Sequence, residues 1–169
     1  MSQPVKIGKT FAFIFWGLFL VLGYQFFDGK LSERVNPNQN PESYINGQMA
    51  TLVLDQNRMG HYVVNGLLNN YPVTFLLDTG ATNVAVPKGV ADAIGLKYGQ
   101  PVSVNTANGT AKAYMTTIDN LTIGKLQFGN MRATIVPGMQ GDELLLGMNA
   151  LKQVEFTQRE GRLTLKQIQ

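Results

Sequence analysis

The residues best suited to chemistry lie in the stretch FLLDTGATNVAVP, residues 75–87, where Asp78 is the single charged residue. Burying an ionised carboxylate costs free energy unless it is hydrogen-bonded, paired or neutralised. Gly80 lets the chain turn tightly, so that backbone N–H groups can reach the carboxylate. The Thr79 hydroxyl can both donate and accept hydrogen bonds. The stretch therefore indicates a functional site rather than an ordinary buried strand.

The remaining composition argues against several other kinds of site. The 169 residues include no cysteine, which rules out disulfides, thiol chemistry and cysteine-based metal sites. The one histidine, His61, has no histidine or glutamate at a ligand spacing, so we expect neither a metal site nor a Ser-His-Asp mechanism. The net charge is +3, but the basic residues are scattered singly, which argues against nucleic-acid binding. No metal and no cofactor are expected.

The sequence on both sides of Asp78 consists of short apolar runs separated by turn-forming residues, a pattern that predicts β strands. The pattern predicts an all-β domain, a small closed β barrel with one or two short helices. One short helix is predicted at KGVADAIG, residues 88–95, and a helical turn is predicted after the apolar run ELLLG. Hairpin turns are predicted at residues 69–70, at Asn108-Gly109 and at residues 160–161.

The N-terminal segment is predicted to be a single transmembrane helix. Residues 10–27 carry no charge, and these 18 residues approach the roughly 20 that a spanning helix needs. The run is longer than the apolar region of a signal peptide and lacks a small-x-small cleavage site, which favours an uncleaved anchor. Lysines in residues 1–9 place the N-terminus in the cytoplasm and the rest outside the cytoplasmic membrane, in a periplasmic or extracellular space. We interpret residues 28–48 as a flexible linker and residues 49–169 as the folded domain.

The order of these features resembles that of retropepsin-like aspartic proteases, including the membrane-anchored bacterial members. An apolar strand runs into Asp78-Thr79-Gly80, and a glycine-tipped hairpin follows. About 65 residues after the tripeptide, Leu144–Gly147 precedes a short helix. The resemblance covers about 120 residues, and the N-terminal anchor fits it as well.

The resemblance implies a homodimer. The chain has one Asp-Thr-Gly and no Asp-Ser-Gly, although peptide hydrolysis of this type uses two carboxylates. One Asp78 from each protomer would meet at the two-fold axis and share a proton with its counterpart. One carboxylate would act as general base on a water while the other protonates the peptide carbonyl. The implied function is a membrane-anchored aspartic endopeptidase with polypeptide substrates.

The resemblance also assigns roles to individual residues. The residues of the catalytic loop would be Asp78, Thr79 and Gly80. The residues at the tip of a substrate-covering flap would be Ala107, Asn108 and Gly109. The residues that support the site structurally would be Ala81, Leu145, Leu146 and Gly147.

A second class of function stays open on the sequence alone. Asp and Gly are common in turns at strand ends, so Asp78 could be structural. The chain would then be a noncatalytic, membrane-tethered dimerisation or peptide-binding module with the same barrel. Thr79 and Gly80 beside Asp78 favour the protease.

Overall fold

The computed structural model describes residues 7–106 and 109–169, which form thirteen strands and three helices. The helices are α1 (Ile7–Val35), α2 (Lys88–Ala93) and α3 (Met148–Leu151). The first six strands are β1 (Glu42–Asn46), β2 (Met49–Asp55), β3 (Val63–Leu68), β4 (Tyr71–Leu77), β5 (Val84–Pro87) and β6 (Pro101–Thr106). The other strands are β7 (Gly109–Ile118), β8 (Leu121–Ile123), β9 (Leu126–Phe128), β10 (Met131–Val136), β11 (Glu143–Leu146), β12 (Glu155–Arg159) and β13 (Arg162–Ile168).

The strands form two sheets. The smaller sheet has the order β1-β2-β13-β12 and joins the two ends of the domain through antiparallel pairs. The larger sheet has the order β6-β7-β10-β5-β11-β4-β3-β8-β9. Its parallel pairs are β10 with β5 and β11 with β4, and the latter places the two predicted parts of the site side by side. The predicted all-β class with few short helices is confirmed.

The core follows from strand alternation, because successive side chains point to opposite faces of a sheet. Phe75 of β4 and Leu144 and Leu146 of β11 are fully buried on one face. Their neighbours Leu76 and Leu145 are only partly buried and lie on the other face. Strand β4 is therefore anchored in the core through Phe75, while Leu76 points to the opposite, partly exposed face of the sheet.

Two predicted hairpin turns are confirmed, and the third is displaced by one residue. Asn69-Asn70 and Glu160-Gly161 have positive φ angles at both positions, as a tight two-residue hairpin turn requires. In the hairpin of β6 and β7, Thr106 pairs with Gly109. Gly109 therefore belongs to strand β7, and the connecting residues 107 and 108 lie outside the described residues.

Residues 28–48 were predicted to be a flexible linker, but the structure contains a helical segment and a paired strand within this range. Helix α1 continues eight residues beyond the uncharged run to Val35, and Glu42–Asn46 pairs with Met49–Asp55 as β1 and β2. Strand β1 is mostly exposed, so backbone pairing rather than apolar burial defines it, and composition alone does not reveal it. Among the described residues, one helix, Phe11–Val35, is apolar and long enough to cross a bilayer.

A buried asparagine joins the segment after α1 to the domain. Asn38 is 4% exposed, and its side-chain amide donates to the carbonyls of Asp55 (2.9 Å) and Val63 (2.7 Å). Its side-chain oxygen accepts the N–H of Asp55 at 2.7 Å. One side chain thus bridges the end of β2 and the start of β3.

We expect Asn38→Ala to lower the free energy of unfolding by about 3 kcal/mol, since each buried group left without a partner costs about 1–3 kcal/mol. The substitution removes all three hydrogen bonds of the Asn38 side chain. Urea denaturation of the full chain in detergent measures the change. The matched control is Asn40→Ala, since Asn40 is exposed. Equal stabilities of the two variants would show that the bridge is not structural.

Candidate active site

The Asp78 carboxylate is held in a tight turn directly after β4. Its oxygen Oδ1 accepts the N–H of Gly80 at 2.8 Å, and the N–H of Ala81 donates to the Asp78 carbonyl at 3.3 Å. The Asp78 N–H donates to the carbonyl of Leu146 at 3.2 Å, which continues the parallel pairing of β4 with β11. The carboxylate is thus oriented by backbone groups while Asp78 as a whole is half-buried.

The junction between β11 and α3 packs directly against the Asp78 loop. A Cβ atom added to Gly147 would lie 2.4 Å from the carbonyl oxygen of Asn83 and 2.8 Å from that of Ala81. Only glycine allows this close approach of two backbones. The N–H of Met148 donates to the carbonyl of Ala81 at 2.8 Å. The structure therefore brings Ala81, Leu146 and Gly147 into the immediate surroundings of Asp78.

Asn149 also fixes this loop, and sequence reasoning missed it. Its backbone N–H donates to the carbonyl of Thr82 at 3.0 Å, and its side-chain oxygen accepts the N–H of Val84 at 3.1 Å. Its side-chain amide donates to the carbonyl of Arg132 at 2.6 Å. The available signal was a single amide residue in the otherwise apolar run MNAL, but its partners lie 17 to 67 residues away along the chain.

An apolar surface extends from the strand before Asp78 towards the β6–β7 hairpin. Leu145 pairs in register with Leu76, and both lie on the face opposite the core. Leu145 also packs against a small buried cluster, and so do Val102 and Val104 of β6 and Met139. The members of that cluster are Ala85, Ala113 and Val136. The strand that leads to Asp78 and its partner β11 therefore carry apolar side chains on both faces of the sheet.

The remaining predicted site residues are placed differently. Thr79 and Gly80 are exposed in the single chain. Gly109 is exposed and pairs with Thr106 at the end of its hairpin, where its carbonyl accepts a hydrogen bond from the Thr106 hydroxyl at 2.7 Å. Ala107 and Asn108 lie outside the described residues. No group of three or more histidine or acidic residues within residues 7–106 and 109–169 could hold a metal ion.

Glu143 is a partly buried acid on β11, opposite Thr74 of β4. Burial raises the pKa of its carboxyl group above the usual 4.5, and the charge on His61 partly offsets this. A carboxyl group with a raised pKa stabilises the folded state below its unfolded-state pKa. It loses that contribution as pH rises through the folded-state value.

We therefore expect Glu143→Gln to weaken the decline in stability over the pH range that begins at the usual carboxyl value of 4.5 and extends upward, because the ionised carboxylate that opposes folding is absent from the variant. Denaturant unfolding at a series of pH values within this range measures the effect. Wild-type and variant stability curves that stay parallel across the range would contradict this expectation.

The sequence matches a protein family across the site. Residues 64–153, more than half of the chain, match the family described as "gag-polyprotein putative aspartyl protease". The chain belongs to the retropepsin-like aspartic protease family. The matched range includes the Asp78 loop, the β6–β7 hairpin and the β11–α3 junction.

A solved structure supports the same retropepsin-like fold. The retropepsin-like aspartic protease from Rickettsia conorii is 30% identical and superposes with a TM-score of 0.60. The similarity covers 76% of this chain and 96% of that chain. The retropepsin type of all-β fold predicted from the sequence is confirmed.

Two curated relatives come from other bacteria. An uncharacterized Sinorhizobium protein is 33% identical over 110 residues, which are 63% of this chain and 47% of the relative. An uncharacterized protein of Rickettsia prowazekii (strain Madrid E) is 31% identical over 111 residues, which are 63% of this chain and 46% of the relative. This retropepsin-like chain therefore spans about half the length of the curated relatives it matches.

Proposed function

We propose that this retropepsin-like chain is a membrane-anchored aspartic endopeptidase that works as a homodimer. The observation that carries the proposal is the single Asp78 carboxylate, which is oriented by the Gly80 N–H at 2.8 Å and left half-buried at the domain surface. One carboxylate cannot act as acid and base at the same time. A second copy related by a two-fold axis would supply the other.

The proposed chemistry needs no group beyond the two Asp78 side chains and a water molecule. Two carboxylates about 3 Å apart do not both ionise readily, so they share one proton and titrate as a coupled pair. The ionised carboxylate takes a proton from water as the water attacks the peptide carbonyl carbon. The protonated carboxylate gives its proton to the carbonyl oxygen, and the two roles then exchange as the amine leaves.

The exposed residues of the loop support the dimer. Thr79 and Gly80 lie at the surface of one chain beside the carboxylate. In the dimer these residues would contact the partner's loop, and the Thr79 hydroxyl would supply a donor and an acceptor across the axis. Thr79 and Gly80 thus belong to the proposed catalytic loop as positioning residues.

Two apolar surfaces support the proposed substrate and location. Leu76 and Leu145 lie beside the Asp78 loop and would contact side chains of an extended polypeptide, with the β6–β7 hairpin as the proposed flap. Helix α1 has an apolar surface that is not buried against the domain, which supports its proposed role as a membrane anchor. The proposed topology has the N-terminus in the cytoplasm and the protease domain outside it.

The test is hydrolysis of denatured casein by the full chain in detergent between pH 3 and pH 7. We expect cleavage at internal peptide bonds, and we expect a pepstatin-type inhibitor to abolish it. Persistent cleavage in the presence of the inhibitor would exclude the proposed chemistry. Absence of cleavage across the range would favour a noncatalytic dimerisation or peptide-binding module.

A further inference from the structure

Helix α1 passes into the domain without a flexible joint. Its last residue is Val35, and the carbonyl of Val35 accepts a hydrogen bond from the side-chain amide of Asn57 at 2.9 Å. The final carbonyls of a helix have no partner within the helix, so this bond ties the helix end to the domain. Asn57 is itself 7% exposed, and its side-chain oxygen accepts the N–H groups of Met59 and His61.

The residues that follow α1 are also hydrogen-bonded to the domain. Asn36 is 8% exposed, and its side-chain amide donates to the Asn65 side-chain oxygen at 2.8 Å. The Asn65 amide donates to the carbonyl of Gln39 at 3.2 Å, and Asn38 bridges β2 and β3 as described above. We call Asn36, Asn38, Asn57 and Asn65 the asparagine collar.

The collar is a satisfied polar network, and such networks rigidify the elements they join. Pro37, between its first two members, has a fixed φ angle that removes further backbone freedom. Breaking the joint would leave buried amides without partners, which is costly. The collar therefore holds the direction of α1 relative to the domain.

The length of the rigid connection sets the height of the domain. Eight residues separate Phe27, the end of the uncharged run, from Val35, and they span roughly 12 Å as a helix. A domain of this size has a radius of gyration of about 14 Å and hence a diameter of roughly 35 Å. All points on the domain then lie within about 50 Å of the membrane surface.

We propose that α1 and the asparagine collar hold the protease at a fixed height and orientation, so that its substrates are membrane-proximal segments of polypeptides. The chemical class is an extended peptide whose scissile bond lies within about 50 Å of the bilayer. This inference rests on the proposed function, since it needs both a membrane anchor and proteolysis. A flexible linker would instead let the domain turn freely and sample a wide range of heights.

The experiment uses the full chain in phosphatidylcholine vesicles together with single-pass reporter proteins. Each reporter carries an unfolded casein segment on a stiff helical spacer that places it about 0, 30, 60 or 90 Å above the bilayer, at 1.5 Å per spacer residue. We expect the 90 Å reporter to be cut at least about tenfold more slowly than the 0 or 30 Å reporter, because the tethered enzyme cannot span the gap. Soluble casein is present in every sample as an internal reference.

Two insertions between Gly29 and Lys30 leave the collar intact and alter only the connection. A helical insert of about 18 residues adds five full turns. It therefore leaves the rotation of the domain about the helix axis unchanged and raises the domain by roughly 27 Å. We expect this insert to shift the range of cleaved heights upward by a similar distance. A flexible Gly/Ser insert of about 40 residues is expected to make cleavage nearly independent of height.

The outcomes separate this inference from the proposed function. Failure of the wild-type chain to cut soluble casein would defeat the proposed function and the inference with it. Cutting of soluble casein together with equal rates on all four reporters would overturn the inference alone. A helical insert that leaves the preferred height unchanged would also overturn it.

Discussion

Asp78→Asn is expected to reduce hydrolysis of denatured casein by about 10³-fold or more, since acid–base catalysis by a positioned side chain contributes about 10²–10⁴-fold and both protomers of the proposed dimer lose theirs. An amide has nearly the same shape as a carboxylate, but it cannot take a proton from water at these pH values. Its oxygen can still accept the Gly80 N–H that orients the loop. Initial rates of casein cleavage measure the loss.

The control must show that the fold survives and that the position matters. Asp119→Asn makes the same chemical change at an exposed acid outside the loop, and we expect it to retain wild-type activity. Circular dichroism and urea unfolding should match the wild type for both variants. If Asp78→Asn keeps more than about a tenth of the wild-type rate, Asp78 is not part of the acid–base machinery.

Gly147→Ala is expected to destabilise the domain by about 3 kcal/mol and to abolish activity, since overpacking a close contact costs about 1–3 kcal/mol and sometimes more. The added Cβ would lie 2.4 Å from the carbonyl oxygen of Asn83, so the backbone of the Asp78 loop has to move. The φ angle of Gly147 is −84°, which alanine adopts without strain. A loss of stability in Gly147→Ala would therefore come from the lack of space for a Cβ atom beside the Asp78 loop, and not from a strained backbone conformation.

Gly129→Ala is the matched control, because a Cβ at Gly129 meets nothing within 4 Å. We expect its urea midpoint and casein activity to stay close to those of the wild type. Similar behaviour of the two alanine variants would mean that the β11–α3 junction does not support the Asp78 loop through close packing.

Much of the arrangement around Asp78 could be predicted because its sequence signals are local. The apolar strand that leads into Asp78-Thr79-Gly80 is recognisable within about a dozen residues of sequence. The apolar run Leu144–Gly147 is recognisable within four. Their adjacency follows from the parallel pairing of β11 with β4, which the structure shows and the local pattern did not predict. The family resemblance implied only that this run supports the site. The hairpin turn at Glu160-Gly161 was equally local, because its glycine and positive φ angles belong to the turn itself.

The missed features depend on contacts that are distant in sequence. Asn149 reaches residues 82, 84 and 132, and Asn38 reaches residues 55 and 63, so neither role is visible in a local pattern. Strand β1 is exposed and is defined by its pairing with β2. The turn after Thr106 was misplaced by one residue because cross-strand register, rather than the Asn-Gly pair, fixes which residues connect the strands.

The proposed active site, shared by the Asp78 residues of two protomers, is tested most directly by mixing wild-type and Asp78→Asn chains. At constant total concentration, with free exchange between dimers, wild-type dimers form in proportion to the square of the wild-type fraction. An equal mixture should therefore keep about 25% of the wild-type casein activity, because mixed dimers hold one carboxylate and one amide. Activity of about 50%, proportional to the wild-type fraction, would show that each chain works alone and would contradict a catalytic pair of Asp78 residues.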